Sequence, residues 1–141
     1  MGKYRDKVFI NADGGSRKNP GPAAIGIIIR DENGNVLDKH SERIGEATSN
    51  TAEYKALIKA LEMAAKHTRE EVQIFMDSEF VIKQVTGKYR VKAKHLYPLC
   101  QEIKNQEKFF SKVTYNFVNR NNKFQVKADK LVNEALDNGE D

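Results

Sequence analysis

Four carboxylates stand in this chain at places where a carboxylate is costly. Asp13 follows the apolar run of residues 8–10 and opens directly into a Gly/Pro-rich turn, residues 14–22. Asp77 likewise ends an alternating apolar run that begins at Val72. Glu53 shares a helical face with Leu57, Ala60, Leu61 and Ala64, so its carboxylate is directed inward, and Asp129 borders the apolar stripe of a carboxy-terminal helical pattern. Each has an ordinary structural explanation taken alone: a turn aspartate, a variant capping box with Asn50 as N-cap, a helix-flanking acid, a surface acid. Together they crowd like charge, and such a cluster persists only if the carboxyls hold their protons or cations neutralise them. Oxygen ligands without cysteine or a histidine cluster select a hard ion, Mg²⁺ or Mn²⁺, over zinc. Mg²⁺ held by a few carboxylates usually completes its shell with waters and phosphate oxygens, which points to phosphoryl chemistry.

The elements that must position these groups follow from periodicity. Strands are expected over residues 8–13, 24–30 and 36–44, with a turn at 31–35, forming an antiparallel meander. From Thr48 the period becomes helical. A fourth strand spans 72–77, Ser78 caps a short helix to Val85, and Thr86-Gly87 stops it. A helix over about residues 97–106 carries Pro98 in its first turn, Val113, Tyr115 and Phe117 alternate as a fifth strand, and residues 128–136 close the chain as an amphipathic helix. Strands joined through helices run parallel, so the expected fold is α/β: a mixed five-stranded sheet, three antiparallel then two parallel strands, with helices on both faces. The carboxyl ends of the parallel strands then bring Asp13 and Asp77 to one edge.

The chain has 141 residues, 39% hydrophobic and 31% charged, which suits one domain over residues 1–141. No apolar run reaches membrane-spanning length and the first residues lack a signal-peptide core, so a cytoplasmic location and no membrane partner are expected. The single cysteine, Cys100, excludes an internal disulfide and reads as a small core residue. Net charge is +4, concentrated at Lys83, Lys88, Arg90, Lys92, Lys94 and His95 and again at Arg120, Lys123, Lys127 and Lys130, a distribution compatible with a nucleic-acid partner. No apolar stretch lacks a place in the core, and a monomer is expected.

Asp13-Gly-Gly-Ser with Asn19-Pro-Gly-Pro, then Thr48-Ser-Asn-Thr-Ala-Glu53, Asp77-Ser78 and Lys127-Ala-Asp129 resemble, in order and spacing, the four signature blocks of type 1 ribonuclease H. The resemblance covers nearly the whole chain. It implies the ribonuclease H-like fold and a metal-dependent endonuclease, a phosphodiester hydrolase that cleaves the RNA strand of RNA/DNA hybrids by two-metal-ion catalysis, leaving 5′-phosphate and 3′-hydroxyl ends. Two Mg²⁺ ions per site, with Mn²⁺ as substitute, are implied with substrate bound: Asp13 bridging both, Glu53 and Asp77 beside the leaving group, Asp129 beside the attacking water. It further implies that Gly14, Gly15, Ser16, Asn19 and Asn50 contact the minor groove and that Thr48 belongs to a DNA-phosphate pocket.

Three departures bear on the transfer. Glu79 stands where a glutamine is frequent and, as an acceptor only, is left out of the substrate site. Arg120 is assigned the place of a histidine that assists turnover in many members, nine positions before Asp129. Residues 87–96 are too short for the full basic protrusion, and no separate hybrid-binding domain is expected before the catalytic one, so substrate grip is expected to rest on Lys88, Arg90, Lys92 and Lys94. Duplex RNA is a second candidate substrate. The alternative reading is a nucleic-acid-binding module that keeps the fold with little turnover, and a third is an exonuclease or strand-transfer enzyme on the same fold.

Overall fold

The sheet is built around β1 (Arg5–Ser16), which in a computed structural model describing residues 4–138 lies at its centre. Met1–Lys3, part of the amino-terminal stretch read above for a signal peptide, lie outside the described residues. β1 pairs antiparallel with β2 (Gly21–Arg30), and β2 with β3 (Val36–Ala47). On its other side β1 pairs parallel with β4 (Thr68–Met76), and β4 with β5 (Lys112–Phe117), giving the order β3-β2-β1-β4-β5. The expected mixed five-stranded sheet is therefore present. The helices are α1 (Ser49–Ala64), α2 (Glu79–Val85), α3 (Tyr97–Glu107, after a 3₁₀ turn at Lys94–Leu96) and α4 (Lys123–Asn138).

Alternation in β2 divides the core between two faces. Ile25, Ile27 and Ile29 join Val8, Ile10, Val72 and Ile74 beneath α1, whose Ala56, Leu57, Ala60 and Leu61 are fully buried. Each large aliphatic side chain removed from water there contributes roughly 1.5–3 kcal/mol. The opposite face carries α4. There Ala24 packs with Val132 and Leu136, and Gly26 brings the backbones almost together. A β-carbon at position 26 would lie 2.3 Å from the Ala128 carbonyl oxygen and 3.0 Å from the Val132 nitrogen. Gly26→Ala must therefore displace α4, at a cost of about 1–3 kcal/mol. Urea unfolding should show a lowered midpoint, and an unchanged midpoint would refute the close packing.

Two local expectations need correction. β1 does not end at Asp13 but runs on to Ser16, because Gly14, Gly15 and Ser16 stay paired with Ile25, Ala24 and Ala23 of β2. Only the parallel ladder stops early, its last pair being Asn11 with Phe75. Nor is Asn50 the cap of α1. Thr48 is, its hydroxyl accepting from the Thr51 amide at 3.1 Å while the Asn19 side chain accepts from the Ser49 amide at 2.9 Å. With those donors satisfied, Glu53 lies a turn inside the helix and no capping box forms. Cys100 is half-buried against the main core, as a small apolar residue should be.

Candidate active site

Asp13 belongs to the part of β1 that has outrun its parallel neighbour, and Asp77 is the first residue after β4. The two strand ends separate there and leave room between them. Glu53 enters from the first turns of α1, which Gly14 admits: a β-carbon at position 14 would meet the Ala52 carbonyl at 2.3 Å. Asp77 is followed by Ser78, whose hydroxyl caps α2 by accepting from the Val81 amide. One carboxylate oxygen from each of Asp13, Glu53 and Asp77 lies within 4.8 Å of the others. Asp129, on the exposed side of α4, lines the same cleft.

The electrostatic consequence is strong. Burial pushes the Asp13 carboxyl up to about 8, reinforced by the charges of Asp77 and Asp129. Glu53 is also held well above the ordinary carboxylate range, first by burial and then by Asp13 and Asp77. Its Oε1 is buried with no hydrogen-bond partner. Asp77 is raised by burial, an effect opposed by its own backbone amide, by the charge of Arg120 and by the Gln125 side chain. A buried oxygen without a partner and three mutually repelling carboxyls are what a hard divalent cation would satisfy.

The cleft, about 380 Å³, is lined by Asp13, Glu53, Asp77 and Asp129, by Gly14, Gly15 and Ser16 of β1, and by Arg120. Asn19 and Thr48 stand outside its lining, occupied with the α1 cap. Asn50 borders a neighbouring groove with Phe80, Tyr89, Lys88, Arg90 and Lys92. Glu79, excluded from the site above, pairs with Lys83 at 3.1 Å.

A family profile described as reverse transcriptase-like matches residues 11–135. The RNase H1 of the halophilic archaeon Halobacterium salinarum is 37% identical, with a TM-score of 0.88 over 93% of this chain and 98% of that one. The chain belongs to the type 1 ribonuclease H family. LC11-RNase H1, from a compost metagenome and solved in complex with an RNA/DNA hybrid, is a further ribonuclease H relative, with 40% identity and a TM-score of 0.86 over 94% of this chain and 98% of that one. Among curated proteins, the bifunctional protein Rv2228c of Mycobacterium tuberculosis is 39% identical over 132 residues, 93% of this chain. The chain spans 36% of that protein's length and 65% of the curated Halobacterium ribonuclease HI.

Sequence reasoning overlooked three residues at or behind this cleft. Arg17 lines the cleft and is tied to α4 through Asp137 at 2.8 Å and Asn133 at 3.3 Å. Asn11 and Gln125 form a fully buried amide pair behind the carboxylates. Their signals were present: Asn11 directly extends the apolar run of residues 8–10, and Gln125 precedes Ala128 and Val132 at helical spacing on the apolar stripe of α4.

Proposed function

We propose that residues 1–141 act as one catalytic domain, a divalent-metal-dependent endoribonuclease that hydrolyses the RNA strand of RNA/DNA hybrids and leaves 5′-phosphate and 3′-hydroxyl ends. The observation that carries this reading is the convergence of Asp13, Glu53 and Asp77 within 4.8 Å around a buried, unpartnered Glu53 oxygen. Asp13, Glu53, Asp77 and Asp129 would hold two Mg²⁺ or Mn²⁺ ions when substrate is bound. Such ions lower the pKa of an attacking water and offset charge on the departing oxygen.

The chain's own groups do the rest. The three inner carboxyls release protons to become ligands, and their raised affinity for protons makes ion binding stronger as pH rises. Arg120, exposed at the mouth of the cleft, favours the ionised form of Asp77 and is placed to steady a phosphate or help a product leave. Gly14, Gly15 and Ser16 line the cleft, where their backbone would be within reach of a nucleic-acid strand. Asn19, Thr48 and Asn50 continue the surface that would meet 2′-hydroxyls and phosphates, the 2′-hydroxyl being what marks an RNA strand. The hybrid named with the LC11 relative supports the substrate class.

Lys88, Arg90 and Lys92, beside Asn50, supply the electrostatic grip. Each phosphate they neutralise contributes about 0.9 to the slope of log affinity against log salt. Replacing all three by alanine is expected to lower that slope by about 2 to 3, read by fluorescence anisotropy of a labelled hybrid in Ca²⁺. An unchanged slope would remove them from the interface.

No helix among the described residues is long and apolar enough to cross a membrane, and we expect a cytoplasmic monomer, checked by light scattering. The deciding experiment is incubation of end-labelled hybrid, duplex DNA and duplex RNA in Mg²⁺, Mn²⁺ or chelator, with the product ends mapped. Metal-dependent cutting confined to the hybrid's RNA strand is expected. A folded protein that binds the hybrid and leaves it whole would establish the binding-module alternative.

A further inference from the structure

Gln125 is fully buried, although it stands on the face by which α4 meets the sheet. A buried amide costs stability unless each of its polar atoms is paired. Its Nε2 donates to the Ala12 carbonyl at 3.0 Å, and its Oε1 accepts from Asn11 Nδ2 at 3.0 Å. Ala12 contributes the peptide that leads directly into Asp13, and Asp129 lies one turn beyond Gln125 on α4. A single side chain thus joins the backbone beneath one acidic residue to the helix that carries another.

Stability alone does not account for the arrangement. Asn11 Oδ1 remains buried without a partner, so the amide pair leaves an unsatisfied group behind. An apolar pair of similar shape would fill the space between β1 and α4 without that cost. The Gln125 donor is spent on the peptide that leads into Asp13, where the gain is orientation.

We infer that Gln125, seated against Asn11, is a positioning residue that fixes Asp13 and Asp129 in a common geometry for divalent-ion binding. It touches neither ion nor substrate and acts through the Ala12–Asp13 peptide and through α4, which carries Asp129. This inference rests on the metal-site reading proposed above. Groups that orient metal ligands in this way typically change ion affinity by about 10–100-fold when removed.

The test compares wild type with Asn11→Val/Gln125→Met, which replaces both amides by apolar side chains of similar volume. Thermal melting without metal reads the fold. Mn²⁺ calorimetry on the free protein reads the site, and the Mg²⁺ dependence of hybrid cleavage reads its use. The double variant is expected to melt at or above the wild-type temperature, yet to bind Mn²⁺ at least about tenfold more weakly and to need correspondingly more Mg²⁺. Wild-type ion affinity in the folded double variant would overturn the inference and leave the metal-site reading standing. A wild-type protein that binds no Mn²⁺ would overturn both. Should the double variant fail to fold, the single variants decide. Gln125→Met is expected to lose the tenfold, whereas Asn11→Val, which keeps the Gln125 donor, loses no more than about twofold. Equal losses in the two would overturn the inference.

Discussion

Asp77→Asn is expected to lower cleavage of the RNA strand by at least about 10³-fold while leaving the protein folded. Asparagine keeps the size of the side chain and its place after β4, so neither the strand nor the Ser78 cap of α2 is disturbed. What disappears is the negative charge and one strong oxygen ligand. Lewis-acid stabilisation of a phosphoryl transition state is worth several kcal/mol, and each 1.36 kcal/mol is a factor of ten in rate, so losing about 4 kcal/mol gives the stated loss. The fold should gain a little in the absence of metal, because Asp77 is one of the charges that raise the Asp13 carboxyl. Single-turnover rates in saturating Mg²⁺, with far-UV circular dichroism as the control, check both parts. A folded variant within tenfold of wild type would remove Asp77 from the ligands.

Without metal, the protein is expected to lose stability as pH rises from about 4 to about 8. The sign follows from Asp13. Its folded carboxyl titrates near 8 against 3.8 in the unfolded chain, so between those values the folded state holds a proton that the unfolded state has released. Stability then falls with rising pH across that window and levels off above it. Glu53 and Asp77 are raised as well and act in the same direction. The combined effect is on the order of a few kcal/mol. Asp13→Asn removes this titrating group and relieves its neighbours, so the metal-free variant should be more stable than wild type at pH 8 and nearly equal to it at pH 4. Ions that bind the folded state restore wild type at pH 8 by mass action. Urea midpoints at pH 5 and 8, in EDTA and in Mg²⁺, measure all of this, and a wild-type midpoint that rises with pH in EDTA would refute it.

These effects concern residues that local chemistry marks out. Asp13 and Asp77 interrupt apolar runs, and Glu53 breaks an apolar helical face, so their convergence follows once the strands are ordered. The remainder depends on partners distant in sequence. Where β1 ends is decided by the unequal lengths of its neighbours, since β2 accompanies it to Ser16 while the ladder with β4 stops at Asn11. The α1 cap moved from Asn50 to Thr48 because Asn19, thirty residues earlier, satisfies the Ser49 amide. Asn11 and Gln125 each look like an isolated polar residue in an apolar pattern. Only the fold, which brings them together across 114 positions, makes them a pair.

The contact between Gly26 and Ala128 also has a bearing on how this site can be altered. Backbone meets backbone there, so the height of α4 above β2 is set by atoms that no core substitution can change. Repacking around Val132 or Leu136 can loosen the helix, but it cannot draw Asp129 any closer to Asp13. Position 26 therefore behaves as a shim: an added methyl lifts one wall of the cleft away from the other, and the spacing of the acidic cluster can be widened from the neighbouring strand without touching a carboxylate.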